Sequence, residues 1–587
     1  LNITSSGAIS GVVASATTDI NVANGLAGVA VNGGKDVTIT NGTAGNINVG
    51  ATTAAAGNVT ATNNFATGTV QVKGAGTLTA TSNDGAITFV NGTSITANAK
   101  EAVSLATRDA NLQAKTDATT ANTAATSDTD ASGLAKTEAA TKVTALSTLA
   151  TAITSATNVS ADQTTASSIG AATTTALNAG AITLAEKAAI DAAFATGLVT
   201  STAAARTAAQ NVLTPLQTTA TAAKTAADAA DAINDANATA ALAAANAVVA
   251  ADIAKAGLVN GVVVTATTNT ALTSATINGN YGSTGNAITD ASTLSNTLTT
   301  VTLNNAGNTT ITGKAIATIN VTDAEGADVA VVNSTVDNTL ALNLNNSDIN
   351  FINAANTTKT LNVVATGENT LDIDAKNVSA LNISGAGDIT VTQLTNSIAA
   401  AAVINASTAT GDITMSVAAG QTYTGGSGVD AITLGALLQT KAVDGGAGSS
   451  DKVVITNAAA VATTGAALVK NFEVVELSGG VNVDLSKFTN STITSVIANG
   501  SSTITGMNAT QAANVKVTGN STLNLGLTGA TVVGQMDVVT LTVDDGTTGI
   551  GAVGAITLTT PVLAGVETLN LIANENVTIS ALTSATA

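Results

Sequence analysis

The sequence predicts a mostly β fold, an elongated β-solenoid or β-roll, interrupted by an Ala-rich α-helical insertion. Three observations carry this expectation. Short runs of alternating apolar and polar residues, each bounded by Gly or Asn, fill residues 1–99 and 258–587, and period-two alternation marks strands with one buried face. Between residues 361 and 414 these runs recur about every twenty residues, the spacing of stacked coils too small to bury their own apolar side. From residue 100 to residue 257 the alternation stops, glycine thins, alanine rises and apolar residues fall at helical spacing.

In the N-terminal β-rich region, 1–99, runs begin at Val37, Asn46, Asn58, Val70, Thr77 and Ile87, separated by turns such as Asn83-Asp84-Gly85 and Asn91-Gly92-Thr93. In the insertion, 100–257, Val143, Leu146, Leu149 and Ile153 share one helical face, as do Ile182, Ile190, Phe194 and Leu198. Thr183-Leu184-Ala185-Glu186 is a capping box that starts a helix at Thr183. Asn211 to Pro215 is expected to end that helical run, because proline cannot donate to the preceding turn, and a long helix then covers Leu216 to Lys255. Asp128, Asp130, Ser132 and Gly133 imitate half an EF-hand loop, but position twelve is Ala139 and Glu138 falls one residue early, so an ordinary helix entry is the better reading. Strands resume at Val262 and continue through a β-solenoid, 258–420, and a C-terminal solenoid, 457–587. Asn362, Asn382 and Asn570 are expected as buried ladder residues that satisfy backbone groups.

Residues 421–456 carry the chemistry. Gly425 to Thr433, GGSGVDAIT, matches the nonapeptide GGxGxDxUx of calcium-binding β-rolls. Gly425, Gly426 and Gly428 let the backbone turn and aim carbonyl oxygens inward, Asp430 adds the charged oxygen calcium prefers, and Ile432 starts a buried strand. A second copy, Gly445, Gly446, Gly448 and Asp451 followed by Val453, has one extra residue before its aspartate. The two turns should stack on one side of the coil with one or two calcium ions between them. A metal-free pair of glycine turns is the bland alternative.

Composition narrows the function. The 587-residue chain has no Cys, His or Trp, which removes thiol and imidazole catalysis and zinc, haem and iron–sulfur ligation. Its formal net charge of −19 opposes nucleic-acid binding and favours cation uptake. No run approaches the ~20 apolar residues of a membrane helix. No signal peptide is visible, and Leu1 in place of methionine reads as a processed product.

The glycine turns, the repeated coils, the acidic Ala/Thr/Gly/Asn-rich composition and the phrases NFEVVEL (471–477) and GVETLNL (565–571) resemble one family. They look like the RTX-type surface-layer proteins of Gram-negative bacteria, such as those of Caulobacter and Campylobacter. The resemblance implies type I secretion, calcium-dependent folding outside the cell, and self-assembly into a two-dimensional lattice anchored on lipopolysaccharide. It carries calcium ligation onto Gly425, Gly426, Gly428, Asp430, Gly445, Gly446, Gly448 and Asp451 only. The anchoring region cannot be placed, the helical insertion is no part of the pattern, and the final ALTSATA is not a clear export signal.

Physics adds that acidic solenoid subunits repel unless a divalent ion neutralises them. Asp323, Glu325, Asp328, Asp544 and Asp545 lie near turns and are expected to be solvated, with lattice calcium sites as the lesser reading. An adhesin or filament subunit is the alternative function. A carbohydrate-active β-helix enzyme ranks third: Asp372 and Asp374 are its best acidic pair, but they fall on one outward strand face, and two Tyr and six Phe leave few sugar platforms.

Overall fold

The computed structural model describes residues within 1–99, 105–126, 131–155, 163–193, 202–256, 261–528, 537–544 and 556–580, apart from positions 6, 25, 26, 42, 43, 66, 67, 84, 268–271, 280–284, 292–296, 334, 395–397, 463, 560, 561, 565, 575 and 576. The chain is mostly β. It passes alternately through two long parallel sheets. The first has 16 strands, from Asn2–Ser5 to Val469–Lys470, and the second runs from Ile9–Ala14 to Thr568–Ala573. Each strand pairs with the strand one coil away, as Leu361 does with Leu381 and Leu371 with Val391, so the architecture is the solenoid that the alternation predicts.

Alternation places every second side chain inside. One interior column runs Val37, Val59, Leu78, Ile95, Ala275, Val301, Ile319, Leu342, Val363 and Ile383, each in register with the next, and none is more than 2% exposed. Burying a branched side chain of this size contributes about 1.5–3 kcal/mol. Repetition therefore replaces the disulfides that the chain lacks. The largest interior side chains are Tyr423, Phe89, Phe351 and Phe472.

The asparagines depart from expectation. Asn382 donates to the Asn362 amide oxygen at 2.7 Å, so this ladder runs side chain to side chain rather than to the backbone. Both residues lie on the half-buried outward face of their strands. Asn570 is exposed and outside any such ladder in the described structure. Buried asparagines that serve backbone groups lie instead at strand ends: Asn41, Asn63 and Ser82 stack in register at 0% exposure, Asn63 donates to Gly45 O at 3.0 Å, and Asn333 donates to Ile316 O at 3.1 Å.

The solenoid is continuous across the insertion. Ile87–Val90 pairs directly with Val262–Ala266, and Ser94–Ala99 with Ser274–Asn278, so residues on either side of the helices belong to adjacent coils of one stack. The helices are α1 (Leu105–Thr126), α2 (Ala131–Ser155), α3 (Gln163–Asn178), α4 (Leu184–Ala193) and α5 (Thr202–Ala256). Leu146, Leu149, Ile153, Ile169, Ile190 and Leu213 form a core separate from that of the solenoid. Thr183 caps α4 as expected: its backbone N–H donates to Glu186 Oε2 at 2.6 Å, and the Glu186 N–H donates to Thr183 Oγ1 at 3.2 Å. Phe194 and Leu198 lie outside the described residues.

Pro215 does not end a helix; it lies inside α5, which is 55 residues long in all. Pro215 and Asn211, whose carbonyl the ring cannot serve, are both exposed. Buried Leu213 and partly buried Leu216 anchor the turn to the bundle on either side, which offsets a cost of about 3 kcal/mol.

After Lys470 the first sheet gives way to a four-stranded parallel sheet of Val483–Asp484, Ser502–Met507, Leu523–Leu527 and Val562–Ala564. No described helix is long and apolar enough to cross a membrane.

Candidate metal centre

Thr422–Thr424 leaves the first sheet, the chain turns through Gly425–Gly428, and Ala431–Leu434 enters the second sheet. The next coil repeats the path through Val443–Asp444, Gly445–Gly448 and Lys452–Ile455. The two turns stack: Tyr423 is in register with Val443, Ile432 with Val453, and the Ala447 N–H donates to Gly426 O at 2.7 Å. The extra residue before Asp451 is absorbed in the turn, where Gly446 adopts φ +103°, a conformation that side chains disfavour.

Both aspartates point inward and are 0% exposed. Around Asp430, Oδ2 accepts from Tyr423 Oη at 2.8 Å and from the Gly426 N–H at 3.4 Å, while Oδ1 accepts from the Ile413 N–H at 3.1 Å. Asp451 Oδ1 accepts from the Asp430 N–H at 2.8 Å. Its Oδ2 is buried with no hydrogen-bond partner. Glu473, one coil further, accepts from the Asp451 N–H at 2.9 Å. On the preceding coils Asp412 accepts from Val429 N–H at 2.7 Å, and Asp388 from Asp412 N–H at 2.8 Å. A line of carboxylates thus caps turn amides across successive coils.

Burial dominates the electrostatics. It raises the Asp451 carboxyl to about 6; the negative charges of Asp430 and Glu473 push the same way, against the hydrogen bond from the Asp430 amide and the pull of the nearby Gly448 amide. Burial also raises Asp430, opposed by the hydrogen bonds from Tyr423, Gly426 and Ile413. The Tyr423 hydroxyl is raised by its own burial and by the Asp430 charge beside it, so it stays a donor.

The two turns therefore differ in what they offer a cation. Asp430 has hydrogen-bond donors on both oxygens. Asp451 has a free buried oxygen, and the neighbouring glycines leave room where a side chain would crowd it. A Cβ on Gly448 would lie 2.5 Å from Asp451 Oδ1 and from Gly428 O, and 2.6 Å from Asp451 Oδ2. One on Gly445 would lie 2.5 Å from Asn471 O and 3.2 Å from Asp451 Oδ2. This donor set of carboxylate and carbonyl oxygens suits a hard cation such as calcium. Gly425 approaches the first turn as closely, its Cβ position falling 2.0 Å from Gly445 O and 2.3 Å from Asp430 Oδ2. Gly426 and Gly428 lie instead against carbonyls of the preceding coil, those of Ala409 and Gly411. Among the described residues no group of three or more Asp, Glu, His or Cys side chains is arranged to hold a metal ion, so carbonyls would carry much of any coordination.

Tyr423 and Glu473 are the site residues that motif reading misses. Tyr423 lies two residues before the glycine turn, and Glu473 lies 22 residues beyond Asp451, one coil on; coil spacing is the signal that would have found Glu473.

The remaining acidic candidates are elsewhere. Glu325, Asp348, Glu368 and Asp388 line a groove of about 410 Å3 over successive coils, where burial, and then the Asp372 charge, raises the Asp348 carboxyl. Asp372 and Asp374 share the outward face of Glu368–Asp374, as alternation requires. Asp323 occupies a turn at φ 53°, Asp328 accepts from the Asn350 amide at 2.8 Å, and Asp544 pairs with Lys516 at 3.2 Å. Asp545, Asp128 and Asp130 lie outside the described residues. Ser132 and Gly133 are helical, Ser132 donating to Asp231 at 3.1 Å, and Glu138 pairs with Lys142.

No protein-family model matches the chain, and no curated protein matches it.

Proposed function

We propose that this chain is a structural, non-catalytic subunit of a bacterial surface layer: an RTX-type protein secreted to the cell surface, where calcium drives its folding and its assembly into a two-dimensional lattice held on lipopolysaccharide. The observation that carries the reading is Asp451, a fully buried carboxylate with one oxygen unpartnered, within a stacked glycine-turn pair. An unpaired buried charge is costly, and a divalent cation is the simplest group that would remove that cost. Calcium would be held by Asp451 with carbonyls of the Gly425–Gly428 and Gly445–Gly448 turns; the hydrogen bonds already made to Asp430 leave it the second role of shaping the turn. When bound, the ion supplies positive charge to a chain of net charge −19, coupling folding to the ion concentration outside the cell.

Negative-stain imaging of the purified chain in millimolar calcium and again in excess chelator tests this. Ordered sheets that dissolve on chelation are expected. Particles indifferent to calcium would sink both the ion and the lattice, and filaments in either condition would transfer the reading to an adhesin or filament subunit.

A further inference from the structure

Over the coils between residues 327 and 393 the two outward faces of the solenoid differ in charge. Along the first sheet, outward residues stack in three unbroken ranks. One runs Thr38, Thr60, Thr79, Thr96, Thr276, Thr302, Asn320 and Asn343, each in register with the next. Beside it run ranks through Thr81, Asn98, Asn278 and Asn304, and through Ser94, Ser274, Thr300 and Thr318. From Ile20–Asn24 to Ala380–Gly385 these outward positions are Thr, Ser, Asn, Ala or Val, and the only charged residue in those strands is Lys359, near the start of Thr358–Thr366. The second sheet carries one outward charge, Lys73, from Val29–Gly33 to Thr309–Gly313, but over Ala327–Asn333 to Asp388–Gln393 it points Asp328, Asp348, Glu368, Asp372, Asp374 and Asp388 outward.

We propose that this carboxylate-free outward face of the first sheet is a contact surface for a second copy of this chain. Charge selects the occupant. Two copies at −19 each repel wherever their acidic faces meet, whereas the strands of this face bring a single charge, that of Lys359, and no carboxylate to the contact. Size fits as well. The eleven strands from Ile20–Asn24 to Ala380–Gly385, at about 4.8 Å between strands and about 17 Å along five residues, present about 800 Å2, which is what each partner of a standard interface buries. The chemistry is self-complementary. Asn278 donates to Asn98 at 2.8 Å, Asn304 to Asn278 at 2.7 Å and Asn343 to Asn320 at 2.7 Å. Such a ladder uses one N–H and one lone pair of each amide, and an amide has a second of each to offer an identical ladder opposite. The helical insertion leaves at the end of Ser94–Ala99 and returns at Val262, so it springs from the margin of this face.

The proposal deepens the self-assembly reading but needs neither calcium nor a lattice. Because the chain has no cysteine, single cysteines report contacts cleanly. A short bis-maleimide should link Thr276→Cys protein into dimers and leave Thr370→Cys, outward on the second sheet, unlinked. The Thr60→Asp/Thr96→Asp/Thr302→Asp variant, all outward positions, should keep the wild-type circular dichroism and self-associate about tenfold or more weakly in sedimentation. Equal linking at both positions, no linking at Thr276→Cys, or a folded triple variant that associates like wild type would overturn the proposal. Sheets that persist in that variant would remove this face while leaving the lattice standing; absent sheets with efficient Thr276→Cys linking would do the reverse.

Discussion

Replacing Asp451 by asparagine should reverse its effect on stability between metal-free and calcium-loaded protein. Without metal, the folded carboxyl sits at about 6 against about 3.9 in an unfolded chain. A raised folded value means the native state holds its proton more tightly, so this residue's contribution to stability is full below about pH 4 and is lost as pH rises through about 6. At neutral pH the charged form costs at most about 3 kcal/mol. Asparagine has the same shape, keeps an acceptor for the Asp430 N–H, and puts a neutral amide where Oδ2 has no partner. Asp451→Asn should therefore raise the melting temperature in chelator at pH 7.5 by about 6 °C, for a cooperative unit of about 200 residues, and by far less at pH 4.5. In calcium the order should invert, because only the wild type retains the anionic ligand. Melting curves of both proteins, at two pH values with and without calcium, read all of this. A variant less stable than wild type in chelator at neutral pH would refute the account of a strained carboxylate, and an unchanged order in calcium would refute its role as a ligand.

Three further outcomes follow from the same contacts. Tyr423→Phe keeps the packing and removes the 2.8 Å hydrogen bond to buried Asp430, which should cost about 1.5–3 kcal/mol in denaturant unfolding at neutral pH; no change would mean that the hydroxyl does not support the carboxylate. Gly425→Ala places a methyl group 2.0 Å from Gly445 O, forcing two turns apart at a cost of about 1–3 kcal/mol, visible as early protease cleavage between residues 421 and 456. In the helical bundle, Lys136→Met strips Asp231, only 2% exposed, of its 2.9 Å ion pair and leaves it the Ser132 hydroxyl, which should lower bundle stability by about 1.5–3 kcal/mol. Calorimetry should show that loss in a bundle transition while the solenoid transition stays put.

Much of the fold was legible because its period is local. Val37-Thr38-Ile39-Thr40 states in four residues which side chains face inward, and the stack repeats that statement coil by coil. The capping box at Thr183 was equally readable, since its partners lie three residues apart. Pro215 was not: whether a helix tolerates proline depends on which side faces water and on what holds the flanking residues, and Leu213 finds its partners on another helix. The asparagine ladders misled for a related reason, because a period of two does not say which of two polar roles the outward residue plays. At the candidate site the motif named the aspartates. It did not distinguish Asp430, surrounded by donors, from Asp451, left with a free oxygen, since that difference comes from the Tyr423 hydroxyl beside the turn and the Ile413 amide one coil back.

The seamless pairing across the insertion bears on how the chain folds. Ser94 and Ser274 hydrogen-bond at 2.9 Å although 180 residues separate them, whereas an ordinary coil closes over 20, as between Asn362 and Asn382. Closing the longer loop costs about 2 kcal/mol more in chain entropy. The coils on each side can zip up independently, each by short local closures, and the seam between them should form last. A bundle that folds first brings the two ends of its segment together and cancels most of that cost. The helices would then act as a clasp that sets the moment at which a short and a long stack of coils become one solenoid.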